Sequence, residues 1–146
     1  MDASPLFLGI DPGMSGGIAL LSADLSFIQA YKMPETETDT QELLAEHFGI
    51  RIGFIEAVHS MPKQGVSSSF KFGQSYGFLR GLLVGMKIPF ESVTPQKWQK
   101  EIGCMTRGDK NVSKAKAQQL FPSLKITHAT ADALLIAEFA RRTRQV

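Results

Sequence analysis

The stretch LFLGIDPGMSGGIALL, Leu6 to Leu21, constrains the fold more than any other part of the chain. Phe7–Ile10 reads as a buried strand and Gly17–Leu21 as its return partner, joined by a glycine-rich turn. The anomaly is Asp11, a carboxylate at the inner end of an apolar strand. If that strand is central, an unpaired charge there costs several kcal/mol. One explanation is local, since an Asp-Pro pair initiates turns by itself. The other is that the carboxylate is held there for chemistry.

The rest of the chain supplies the frame around this hairpin. Ser26–Met33 alternates as a third strand and Pro34 ends it. Glu35–Asp39 reads as an acidic loop, and Thr40–Phe48 as a helix with Gly49 as its stop. Ile50–Val58 is a strand carrying Glu56 near its end, and positions 59–69 form a polar loop. A long helix spans Phe70–Met86 and a short strand Ile88–Val93. A short helix, Pro95–Ile102, has proline in its first turn. Cys104–Asp109 is a loop, and Val112–Phe121 and Ala131–Arg142 are the last helices. Antiparallel hairpins come first and β-α-β crossovers follow, which predicts an α/β chain with a mixed five-stranded sheet flanked by helices. At 146 residues, positions 1–146 are read as one domain.

Two further carboxylates repeat the anomaly. Glu56 lies in GFIEAV, apolar on both sides, where charge is unusual. Asp132 opens the apolar run Ala133–Ala137, at the first turn of a buried helix. An Asp at a helix N-terminus favours the dipole without any catalysis. Each has a local explanation, but three carboxylates embedded in apolar sequence would repel one another if gathered. A divalent cation resolves that repulsion. Oxygen ligands suit Mg²⁺ or Mn²⁺, and two such ions about 3.5–4 Å apart serve phosphodiester hydrolysis.

Charge is divided along the chain. Residues 1–60 hold nine acidic and two basic residues, whereas residues 61–146 hold five acidic and fourteen basic ones. That asymmetry fits a polyanion-binding surface in the second part, with solvated helix faces as the plain alternative. No apolar run approaches the ~18 residues of a membrane span. A single cysteine, Cys104, and the absence of a basic leader at the start point to a cytoplasmic setting.

Taken together, GIDPG with Asp11, FIEAVHSMPKQG with Glu56, FGQSYGFLRG, VTPQKWQK and ADALLIAEFARR resemble the RuvC-type Holliday junction resolvases in their phage or phage-like form. The resemblance runs from about residue 6 to 142. It implies a ribonuclease H-like fold and a homodimer. It also implies Mg²⁺- or Mn²⁺-dependent paired nicking of four-way or branched DNA, leaving 5′-phosphate and 3′-hydroxyl ends. By motif, Asp11 and Glu56 carry over as metal ligands and Asp132 as the acidic residue of the C-terminal helix.

One position departs from the pattern. The family has an acidic residue, or a His, three or four positions before the last Asp; here position 129 is Ala and position 128 is His. His128 and Asp132 share a helix face at i, i+4. His128 is therefore read as the fourth ligand or as a proton carrier, with a capping role at the helix start as the alternative.

Arg107, Lys110, Lys114 and Lys116 cluster before and within one helix. The resemblance implies that a basic residue there, Lys110 or Lys114, approaches the scissile phosphate, where a cation stabilises developing charge. Lys63, Gln64, Phe70, Lys71 and Phe72 border the loop after Glu56, and aromatics beside cations can stack on splayed bases. One of the two Phe rings is expected in the core, because they face differently on a helix.

Gly73, Gly77, Gly81 and Gly85 recur every four residues. Each costs ~1 kcal/mol relative to Ala in a helix, which argues for close backbone packing against the sheet or a second copy. Gly73, Gly77, Leu79, Arg80 and Gly81 are the dimer candidates, with Leu79, Leu82, Leu83 and Met86 open between interface and core. The rival readings are an actin-like ATPase, for which the chain lacks room, a junction-binding protein weakened in catalysis, and a nuclease directed at RNA or another branched DNA.

Overall fold

The computed structural model describes residues 4–57 and 65–145. Its strands are β1 (Leu6–Asp11), β2 (Gly17–Ser22), β3 (Ile28–Lys32), β4 (Ile50–Glu56) and β5 (Phe90–Val93). Its helices are α1 (Glu37–Ala45), α2 (Val66–Gly85), α3 (Pro95–Ile102), α4 (Lys110–Leu120) and α5 (His128–Thr143). The sheet runs in the order β3-β2-β1-β4-β5. The β1/β2 and β2/β3 pairs are antiparallel, and β1/β4 and β4/β5 are parallel. The mixed five-stranded sheet expected from the sequence is the one observed.

Both faces of this sheet are covered, so the central strands are apolar at every position rather than at alternate ones. Phe7, Ala19, Leu21, Ile52 and Phe54 point into a core shared with α3, α4 and α5. Leu8, Ile10, Ile18, Leu20 and Ile55 point the other way, into a core shared with Leu44 of α1 and Leu79 and Leu83 of α2. Gly9, between them on β1, has no space for a side chain: a Cβ would run into the backbone of Ala133 and Ala137. Helix α5 thus lies on β1 at main-chain distance, and its alanines at 133 and 137 make that approach possible.

Helix starts fall earlier than the hydrophobic pattern suggests. Helix α1 begins at Glu37 because the Thr36 side chain accepts from the Asp39 amide. Helix α5 begins at His128, where Thr127 and Thr130 form a reciprocal capping box. Asp109 caps α4 by accepting from the Asn111 amide. Helix α2 begins at Val66, four residues before the expected Phe70. These first turns are polar, so apolar periodicity alone passes over them.

Candidate active site

Asp11 and Glu56 end the parallel neighbours β1 and β4, so both carboxylates lie at the same end of the central strands. Helix α5 lies against β1 and carries Asp132 one turn after His128. The three carboxylates lie within electrostatic reach of one another. Burial pushes the Asp11 carboxyl up to about 8, and the negative charges of Glu56 and Asp132 add to the rise. Glu56 is raised by burial and by Asp132, against the opposing hydrogen bond from Trp98. Asp132 is raised by burial, with a Ser113 hydrogen bond, Lys110 and His128 all acting against it. Lys110 is the cation common to all three, lowering each one.

Two buried side chains outside the sequence-based candidates hold this group. Trp98 in α3 donates its Nε1–H to Glu56 Oε2 at 2.8 Å. Ser113 in α4 is buried, lies close enough to the Asp132 carboxyl to oppose its rise, and donates to the Lys110 carbonyl at 3.1 Å. Trp98 stood in the sequence as a lone tryptophan. The signal that could have found it is that a buried indole N–H needs an acceptor. Ser113, a serine inside a lysine-rich helix, carried no such signal.

The remaining candidates are distributed as follows. Lys110 opens α4 and is exposed; Lys114, one turn later, is half-buried and does not act on the carboxylates' titration. Arg107 is exposed in the α3–α4 loop, in the left-handed region at φ 51°. Lys63 and Gln64 lie outside the described residues. Phe70 is 71% exposed and Lys71 is exposed beside it. Phe72 turns inward, its ring against Gly13 in the β1–β2 turn. Gly13 has φ 102°, a conformation that side chains resist, and so keeps that turn tight beside Asp11.

The glycine stripe faces away from this chain's own sheet, since among the described residues a Cβ at Gly73, Gly77, Gly81 or Gly85 would meet nothing within 4 Å. Close packing against the sheet, one of the two expectations for that stripe, is therefore not found. Leu79 belongs on the opposite side of the helix: it is 3% exposed, packed in the chain's own core, and is not available to a partner. Arg80 is engaged within the chain, its guanidinium over the Tyr76 and Phe90 rings and donating to Ser92 Oγ at 3.2 Å.

Among the described residues, no three His, Cys, Asp or Glu side chains converge tightly enough to form a ready-made cation site. The acidic trio is close enough to repel but is not drawn into a single coordination sphere. In donor type and charge it nevertheless fits a hard divalent cation. The oxygens are carboxylate, and Asp11 is so disfavoured as an anion that a nearby positive charge is what would restore it. A cavity of about 480 Å³ lies elsewhere, lined by Met14, Met33, Pro34, Thr36 and Phe78, and contains none of the trio.

No protein-family model matches the chain, and no curated protein matches it in sequence. Its fold does match solved structures. Thermus thermophilus RuvC in complex with Holliday junction substrate superposes with a TM-score of 0.67 at 16% identity, covering 97% of each chain. A second Thermus thermophilus RuvC structure gives 0.68 at 16% identity, covering 94% of this chain and 95% of that one. The yeast mitochondrial Holliday junction resolvase Ydc2 gives 0.52 at 16% identity, over 92% of this chain and 78% of that one. The architecture is thus the ribonuclease H-like fold of these resolvases.

Proposed function

We propose that this chain is a structure-specific endodeoxyribonuclease that resolves four-way or branched DNA by paired nicks, using Mg²⁺ or Mn²⁺. The observation that carries the reading is the half-buried set Asp11, Glu56 and Asp132 at one end of the central strands, where Glu56 and Asp132 raise the proton affinity of Asp11, Asp132 raises that of Glu56, and Lys110 opposes all three rises. A purely structural set of acids would be expected to end in ion pairs, as Glu138 does with Arg141 and Arg142. The likeness of the whole fold to junction resolvases supports the same reading.

Asp11, Glu56 and Asp132 would hold the cations, two per site, with His128 as a fourth ligand or as a proton carrier. When bound, such ions supply water activation and stabilisation of the leaving oxygen. Lys110 offers its ammonium to the charge that develops on the scissile phosphate, with Lys114 one turn behind. His128, exposed at the start of α5, is placed to exchange a proton with solvent. Arg107, Lys63, Gln64 and Lys71 would hold phosphates, and Phe70 would stack on a base at the opened crossover.

A four-way junction offers two equivalent strands, which suits a two-fold homodimer. The open face of α2 with Gly73, Gly77 and Gly81 is its proposed seat. Among the described residues no helix is long and apolar enough to cross a membrane, and a single domain working in the cytoplasm remains part of the proposal. A second reading, a junction-binding protein weakened in catalysis, is favoured by Ala129 where the family has an acid or His and by the ungathered acidic trio.

The test is cleavage of a synthetic four-way junction beside a linear duplex of the same arms, with and without Mg²⁺. Paired nicks in the junction alone, only with the cation, are expected. Tight binding with no nicking in either Mg²⁺ or Mn²⁺ selects the second reading, and no preference for the junction overturns both.

A further inference from the structure

We infer that Trp98 is a positioning residue for the cation site: its indole N–H engages Glu56 Oε2 and so fixes the orientation in which that carboxylate would meet the cation. The inference rests on the divalent-cation reading above and adds to it a residue from outside the acidic set.

Glu56 ends β4 on a side chain with three rotatable bonds, so by itself its carboxylate would be spread over several rotamers. Trp98 is not free to follow it. The ring is 0% exposed, in one core with Phe7, Phe54, Val93 and Ile102. Its helix is fixed at the near end. Val93 of β5 is the register partner of Glu56, the Ala57 amide donates to the Val93 carbonyl, and the next residue, Thr94, caps α3. The chain therefore turns directly from Glu56's neighbouring strand into the helix that brings the indole back to Glu56. The 2.8 Å bond joins an immovable donor to a movable acceptor.

A structural tryptophan needs only some acceptor, and a carbonyl would serve. A phenylalanine at this depth would need none. Spending the bond on a half-buried carboxylate instead fixes that carboxylate's orientation, as outer groups do for metal ligands.

The chain has one tryptophan, so its fluorescence reports on this one indole and its surroundings. The experiment titrates Mn²⁺ into the full chain, counting free Mn²⁺ by electron paramagnetic resonance and following emission in parallel. Wild type is expected to bind Mn²⁺ with quenching at the same midpoint, and Asp11→Asn to lose both. Trp98→Phe keeps an apolar ring and removes the donor. It should weaken Mn²⁺ binding about 10–100-fold, with junction cleavage recovering as Mn²⁺ is raised over that range. A merely structural role would lower the melting temperature and leave Mn²⁺ affinity unchanged. Wild-type affinity in folded Trp98→Phe overturns the inference while the nuclease reading stands. So does bound Mn²⁺ that leaves wild-type emission unmoved, a readout that holds even if Trp98→Phe does not fold. A wild type that binds no Mn²⁺ removes the cation reading and this inference with it.

Discussion

Helices α5 and α2 flank the same sheet and differ in almost every physical respect. Ten of the sixteen residues of α5 are buried, and it meets β1 without an intervening side chain at Gly9. Of the twenty residues of α2 only Leu79 and Leu83 are buried, while Val66, Phe70 and Val84 stand open to solvent. A helix held as α5 is can carry a group whose position must not drift, and Asp132 sits on it. A helix held as loosely as α2 has surface to spend on a partner, and two of the proposed DNA contacts, Phe70 and Lys71, and the proposed dimer face are on it. Chemistry on one side of the sheet and recognition on the other is the division this contrast suggests.

The sharpest attack on that division is Asp11→Asn. It should reduce junction nicking on the order of 10³-fold or more, with binding at low salt retained in a gel-shift assay. Loss of binding in parallel would mean that the two sides are not separable. Next is a pair of glycine substitutions on the two sides. Gly9→Ala should cost about 3 kcal/mol in urea denaturation, because the methyl meets main chain rather than a side chain that can swing away. Gly77→Ala should instead stabilise the monomer by up to ~1 kcal/mol, since its surroundings are open. If a second copy packs there, the same change weakens dimerisation in sedimentation, which would locate the interface.

The pH dependence follows from Asp11. Its folded pKa of about 8 lies above the ordinary 3.8, so the folded state retains a proton that the unfolded chain has lost. Stability in EDTA should therefore fall as pH rises from about 4 through about 8. Asp11→Asn should flatten that slope in thermal melts, and a slope unchanged by the substitution would count against the half-buried trio. The smallest catalytic effect is expected from His128→Ala, about 10-fold in cleavage rate or a change in the Mg²⁺/Mn²⁺ ratio. Identical rates in both ions would return His128 to the helix start as a cap.

The sheet was readable because β1, β2 and β4 are apolar runs bounded by Gly and Pro, and their order leaves few topologies. The acidic residues were readable for the opposite reason, being charged where the pattern demands apolar. Lys110 could not be separated from Lys114 by sequence, because both lie on one helix face and only the docking of α4 decides which one reaches the carboxylates. Leu79 could not be assigned between core and interface by sequence, because polar and apolar residues are mixed around α2 and no periodicity tells the sheet side from the open side. Trp98 and Ser113 depend on contacts between elements distant in the chain, which spacing does not encode.

The missing side chain at Gly9 has a consequence for the acids on either side of it. Asp11 is two residues along one main chain from that touch point, and Asp132 precedes by one residue the Ala133 carbonyl of the other. Their spacing is therefore gauged by peptide dimensions, like marks on two rulers clamped together. Swelling or repacking elsewhere in the interior will move both marks as one, and retuning the gap between them requires rebuilding the clamp.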